Sequence, residues 1–209
     1  LEIKNNSSSI PMNFSKDLKK LISTQSQESS GQLECIESAY RNWQICSSQA
    51  GHYYAINQED YISSGRAIIY KAYQINKENG EIDPSKPFGI KEFQAPPSAC
   101  YRLAQQETRM LGLHAFSDIG IDHKGASSAI FEFYPGSTLC DDQSNPRLSL
   151  LNNLTFLQRL SLIQQFTQQC QRMIDHDQLH NDLKGSNIII DTVAEVVRLW
   201  IIDYGSAKT

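Results

Sequence analysis

His180-Asn181-Asp182-Leu183-Lys184-Gly185-Ser186-Asn187 reads as a polar loop, and the apolar stretch after it ends in Asp203-Tyr204-Gly205. Within that stretch III (188–190) and VVRLWII (196–202) read as a short strand pair. Upstream of the loop, Thr155 and Gln158 form a T-x-x-Q capping box at the head of a long amphipathic helix. Its apolar positions, Phe156, Leu160, Ile163, Phe166, Cys170 and Met173, recur at helical spacing. From Pro135-Gly136 to the loop the pattern is therefore helical.

Before Pro135 the pattern is that of strands. HYYAINQEDYI (52–62) and RAIIYKAYQI (66–75) flank the small-residue turn Ile62-Ser63-Ser64-Gly65. A polar loop, NKENGEIDPSK (76–86), leads to a third strand, PFGIKEF (87–93). Pro96 and Pro97 mark the start of a helix that runs to about Leu113. Two more strand-like runs follow at 116–121 and 127–133, which makes a five-stranded sheet with one helix. Residues 1–12 are polar and Ser/Asn-rich. Short helices are expected over Ser15–Ser23 and Leu33–Ile45, so residues 1–50 form a helical extension without a chemical motif.

The chemistry follows from three places. In an alternating strand, Gly89 and Lys91 face one side while Phe88 and Ile90 face the other, and a lysine off the face of a small sheet needs an anion. Glu107 lies on the helical stripe of Leu103 and Leu111, where a carboxylate is costly unless a cation pairs with it, and Lys91 is the candidate. Phosphoryl transfer from ATP needs a carboxylate to receive the hydroxyl proton, hard oxygen ligands for magnesium and a cation near the transferred group. Asp182 suits the first role, Asn187 and Asp203 the second, and Lys184 the third.

From about Tyr53 to Thr209 the chain resembles the eukaryotic-type protein kinase family, up to the start of the activation segment. Gly89-Ile90-Lys91 stands where the family has V-A-I-K, Glu107 where it has its helix-C glutamate, HNDLKGSN for H-R-D-L-K-x-x-N, and DYG for DFG. The resemblance implies an α+β kinase-like fold. A five-stranded antiparallel N-terminal lobe with its helix would occupy 51–134, and the start of a mainly helical C-terminal lobe 135–209. It also implies a hinge in FEFYPGSTL, with Phe131 as gatekeeper and the backbone of Glu132 to Tyr134 offered to adenine. Ile69 and Gly89 would roof the base and Ile189 would floor it, while Ser64 and Gly65 would cap the phosphates. The expected ligands are ATP and Mg2+, and Lys184 favours serine/threonine substrates over tyrosine.

The sequence departs from the family in three ways. Of the family's three loop glycines only Gly65 survives, with Ser64 and Ala67 standing in for others. Asn181 replaces the arginine that reads a phosphorylated activation loop. Nothing follows DYGSAKT, which is expected of a shortened polypeptide, of a chain that a second protein completes or activates, or of a minimal kinase. Minimal kinases without the C-lobe helices occur among effectors injected by bacterial pathogens. The function expected is ATP-dependent serine/threonine protein kinase. The alternatives are a pseudokinase that binds nucleotide and docks a partner, and a kinase-fold phosphotransferase with a small-molecule acceptor.

Composition narrows the classes. The net charge of -4 implies no broad basic surface for nucleic acid. No apolar run approaches the ~18 residues of a spanning helix, and the first residues lack a signal-peptide core. The five scattered cysteines include no C-x-x-C pair, which fits a reducing compartment. The expected location is cytoplasmic, in a host cytosol if the chain is a secreted effector. Asp141 and Asp142 are candidates for a ribose hydroxyl, although a solvated loop explains them as well.

Overall fold

The structure, a computed structural model, describes residues 16, 17, 19, 42–64, 67–113, 115–121, 125–140, 145–193 and 195–207. The expected helix over Leu33–Ile45, apart from its last residues, lies outside these, as do Gly65, Asp141 and Asp142; of the helix over Ser15–Ser23, Lys16, Asp17 and Lys19 are described and helical. The chain divides into two units. Of the described residues, one holds those up to Thr108 with Ser117–Phe133, and the other Arg109–Phe116 with those from Tyr134 onward.

The first unit is a barrel. Strands β1 (Trp43–Ser48), β2 (Tyr53–Ser64), β3 (Ala67–Ile75), β4 (Ile82–Phe93), β5 (Ser117–Ile121) and β6 (Ser127–Glu132) close antiparallel in the order β1-β2-β3-β4-β6-β5. Alternation puts Cys46, Tyr54, Ile56, Ala72, Ile90 and Ile130 in one buried cluster, with Tyr70 and Phe88 packed against it. Tyr54 and Phe88 meet edge to face at 5.1 Å. Helix α1 (Pro97–Leu111) begins beside the end of β4, where the buried Cys100 thiol donates to the carbonyls of Phe93 and Ala95 at 3.4 and 3.2 Å.

The kinase-like α+β architecture expected from the sequence is overturned here. The sheet is not an open five-stranded one, because Trp43–Ser48, whose first residues fall within the expected Leu33–Ile45 helix, is a sixth strand. It pairs with β2 from Trp43↔Asn57 to Ser47↔Tyr53, and with β5 at Ser47↔Ile121 and Ser48↔Gly120. An open sheet would leave β2 and β5 each with a row of unpaired backbone groups, and β1 satisfies both rows. Closure demands a small residue at Gly120, where an added Cβ would come within 2.6 Å of Ser128 Oγ and 2.7 Å of Cys46 Sγ.

The second unit is not a mainly helical lobe either. It contains a three-stranded antiparallel sheet, β7 (Ser137–Thr138), β8 (Ile188–Val193) and β9 (Val196–Ile201), with helices α2 (Leu148–Asn152) and α3 (Phe156–Asp175). The capping box at the start of α3 forms as its residues imply: Gln158 N donates to Thr155 Oγ1 and Thr155 N to Gln158 Oε1. Two glutamines one turn apart on α3 then complete the free edge of β9. Gln165 Nε2 donates to Val197 O at 3.0 Å while its Oε1 accepts from Leu199 N at 2.9 Å. Gln169 repeats the pattern on Leu199 O at 2.6 Å and Ile201 N at 3.1 Å. Each side-chain amide acts as a peptide unit of a missing neighbour strand.

Gln169→Leu is therefore expected to destabilise this unit by about 1–3 kcal/mol, since it strands a buried carbonyl and amide. Urea denaturation, with loss of hydrogen-exchange protection at Leu199 and Ile201, measures it. Gly136 is constrained differently. Its φ of 113° and the proximity of Ile190 O to any added Cβ exclude a side chain. Gly136→Ala is expected to cost at least about 1–3 kcal/mol from backbone strain alone, read as a lower urea midpoint at unchanged slope. Among the described residues no helix is long and apolar enough to cross a membrane.

Candidate functional site

The residues singled out from the sequence fall into two groups, each within one unit. In the barrel unit, β4 carries Lys91 on the face opposite the core cluster, in register with Ile69 on β3 and Ala129 on β6. Helix α1 brings Glu107 to it, and Lys91 Nζ donates to Glu107 Oε2 at 3.0 Å. Both side chains are nearly sealed, at 6% and 2% exposure. The Lys91 ammonium also lies 5.6 Å from the centre of the Phe93 ring, a favourable place for a cation. An ion pair this deep loses much hydration on burial, which the mutual attraction of its two charges offsets.

Around Lys91 the neighbours expected to roof a base are placed less simply. Gly89 sits beneath the Phe131 ring, whose Cε2 would be 2.5 Å from an added Cβ. Gly89 is thus required by Phe131, a packing reason that the strand pattern did not reveal. Ile69 is half-buried, Ser64 ends β2, and Glu132 is the exposed last residue of β6. The Phe133 amide, one of the hinge groups expected to meet adenine, already donates to Pro87 O at 3.1 Å.

The second group is the loop from His180 to Asn187 together with Asp203. Lys184 Nζ donates to Asp182 Oδ2 at 2.9 Å. Asn187, buried in the 3-10 turn Gly185–Asn187, donates from Nδ2 to the Asp182 carbonyl at 2.9 Å and to Oδ2 at 3.3 Å. The hydrogen bond from Lys184 is the first cause, ahead of its charge and of Asn187, that holds the Asp182 carboxyl below its usual range. The same bond raises the Lys184 ammonium, and Asp203 adds to it through space. Both side chains remain open to solvent, at 40% and 50% exposure.

His180 fixes this loop from below. Its Nδ1 accepts from the Asp182 amide at 3.3 Å, so Nε2 carries the hydrogen and donates to Ile202 O at 2.9 Å. The buried ring also packs on Tyr204, centroids 4.7 Å apart. One imidazole thus ties the amide of Asp182 to the carbonyl of the residue before Asp203. The motif includes His180 without a role; its place two residues before Asp182 was the available signal.

Two further features were not legible beforehand. Asn181 and Asp203 both adopt left-handed backbone, at φ 63° and 62°. Asparagine and aspartate tolerate that conformation far better than arginine, which gives a conformational reason for asparagine at 181. Tyr134 stacks on Trp200 at 5.1 Å, and Ile189 is the Cα partner of Trp200, so these residues share one side of the small sheet. That stack accounts for Tyr134 without any ligand.

The donor set suits magnesium. Ile202 N donates to Asn187 O at 2.9 Å, which holds Asn187 next to the residue preceding Asp203. With Nδ2 of Asn187 committed to Asp182, its Oδ1 and the exposed Asp203 carboxylate are the hard oxygens that would meet a metal. Among the described residues no group of three His, Cys, Asp or Glu is built to hold a metal. Magnesium does not need one, since it retains several waters and takes one or two carboxylates plus phosphate oxygens. No family model and no curated protein matches this chain.

Proposed function

We propose that the chain transfers the γ-phosphoryl group of ATP to a serine or threonine hydroxyl of a protein. The observation that carries this is the Asp182 carboxylate, kept ionised by Lys184 and oriented by Asn187, on a loop whose other end is tied to the residue before Asp203. The resemblance of HNDLKGSN and DYG to the protein kinase motifs supports it, independently of the architecture.

The Asp182 carboxylate accepts the substrate proton as the hydroxyl oxygen bonds to the γ-phosphorus and the bridging P–O bond to ADP breaks. Lys184, within reach of the same carboxylate, offsets charge on the transferred group. Lys91, positioned by Glu107, is assigned the α- and β-phosphates. Magnesium, held by Asn187 and Asp203, would neutralise phosphate oxygens. The proposal includes a cytoplasmic setting, where ATP is supplied.

The test is incubation of the chain with γ-labelled ATP, magnesium and a generic basic protein, followed by phosphoamino-acid analysis. Label on serine or threonine is expected. Nucleotide binding with no label on any protein overturns catalysis and leaves a binding module. Label on a small-molecule acceptor alone overturns the protein substrate.

A further inference from the structure

Among the described residues, helix α3 is packed on one of its two faces. Leu162, Gln169 and Met173 are buried on the side that carries the glutamines bound to β9. The other side leaves Phe156 at 73%, Leu160 at 46%, Ile163 at 62% and Ile174 at 60% exposure. With the exposed Thr167 and half-buried Cys170, these occupy positions 156, 160, 163, 167, 170 and 174. The alternating steps of four and three define the straight apolar seam of a coiled-coil helix, running most of the ~30 Å length of α3. At ~100° per residue the seam lies on the side of α3 away from Gln165 and Gln169.

We propose that this seam is where a second copy of the chain pairs, the two α3 helices lying antiparallel about a two-fold axis. The residues themselves favour self-pairing. Antiparallel alignment centred near residue 165 sets Phe156 against Ile174, Leu160 against Cys170 and Ile163 against Thr167 of the other copy. Each larger side chain then faces a smaller one, which is how facing layers interdigitate. Such a contact is isologous and closes as a dimer. Asp175 comes to the N-terminal end of the opposite helix, where a carboxylate is favoured.

The area is also adequate. At the ~150–250 Å² that a large buried side chain contributes, the four seam residues and the neighbouring Leu157, 74% exposed, present roughly 500 Å² of apolar surface. That is comparable to the largest apolar patch of a typical monomer, about 300–600 Å² and often functional, and forms most of the ~800 Å² per partner of a standard interface.

Light scattering on the eluting chain across a concentration series tests this, with a mass of about twice 23.6 kDa expected. Ile163→Asp is expected to give the single-chain mass with an unchanged circular dichroism spectrum, since the position is exposed. Leu160→Cys should form a copper-catalysed disulfide to Cys170 of the second copy, and the same variant carrying Cys170→Ser should not. A single-chain mass at every concentration overturns the proposal. So does a dimer that survives Ile163→Asp, or one that does not cross-link through positions 160 and 170.

Discussion

Asp182→Asn is expected to lower γ-phosphate transfer by ~10²–10⁴-fold, the usual contribution of a positioned general base. Nucleotide affinity should stay within a few-fold, because Asp182 is assigned to the hydroxyl and not to the phosphates. The substitution is close to isosteric, and the amide oxygen it introduces can still accept from Lys184 and Asn187, so the loop should keep its shape. The measurement pairs single-turnover transfer with nucleotide binding followed by fluorescence. Equal rates for Asp182→Asn and the unchanged chain would remove Asp182 from the chemistry.

The pH dependence follows with a definite sign. Hydrogen bonding to Lys184, its first cause, depresses the Asp182 carboxyl in the folded chain. A base of depressed pKa is fully ionised above the usual carboxylate range and is lost only as pH falls through its own, lower value. The acid limb of the transfer rate is thus expected below the ordinary carboxylate range. Lys184→Met should move that limb upward, because the hydrogen bond that depresses the Asp182 carboxyl is lost.

Local order was largely legible in this chain, and long-range closure was not. The capping box at Thr155 and Gln158, the alternation around Lys91 and the strand pair after Asn187 all rest on neighbours close in sequence, and each forms as its residues imply. The sixth strand escaped because its partners are remote: β1 is completed by β5, more than seventy residues later, through Ser47↔Ile121. Helical spacing in the residues before Trp43 therefore extended into a segment whose backbone is claimed by two other strands. The same reason hid the glutamines of α3. Gln165 and Gln169 look like wet helix positions until β9 offers an unpaired edge. Among the chemical groups, Lys91 meets Glu107 as their types suggested, while the bonds from Lys184 and Asn187 to Asp182 were not foreseen, Asn187 having been expected with Asp203 as a metal ligand. The base-facing residues were less legible, because Gly89 and Tyr134 already have packing partners in Phe131 and Trp200.

The buried pair gives the largest stability effect. Glu107→Ala should destabilise the barrel unit by about 3–5 kcal/mol, because the sealed Lys91 ammonium would lose the carboxylate that offsets its desolvation. Removing both charges together is another matter. Lys91→Met with Glu107→Leu keeps the volume, leaves no buried charge and is expected to be neutral, or more stable by up to ~1–4 kcal/mol. Chemical denaturation of the single and double variants measures both. The double variant then separates structure from function: a stable barrel that no longer binds ATP assigns Lys91 to the phosphates. A stable barrel that binds ATP as before refutes that assignment. If the double variant unfolds as readily as Glu107→Ala, the pair holds α1 to β4 and its burial needs no ligand.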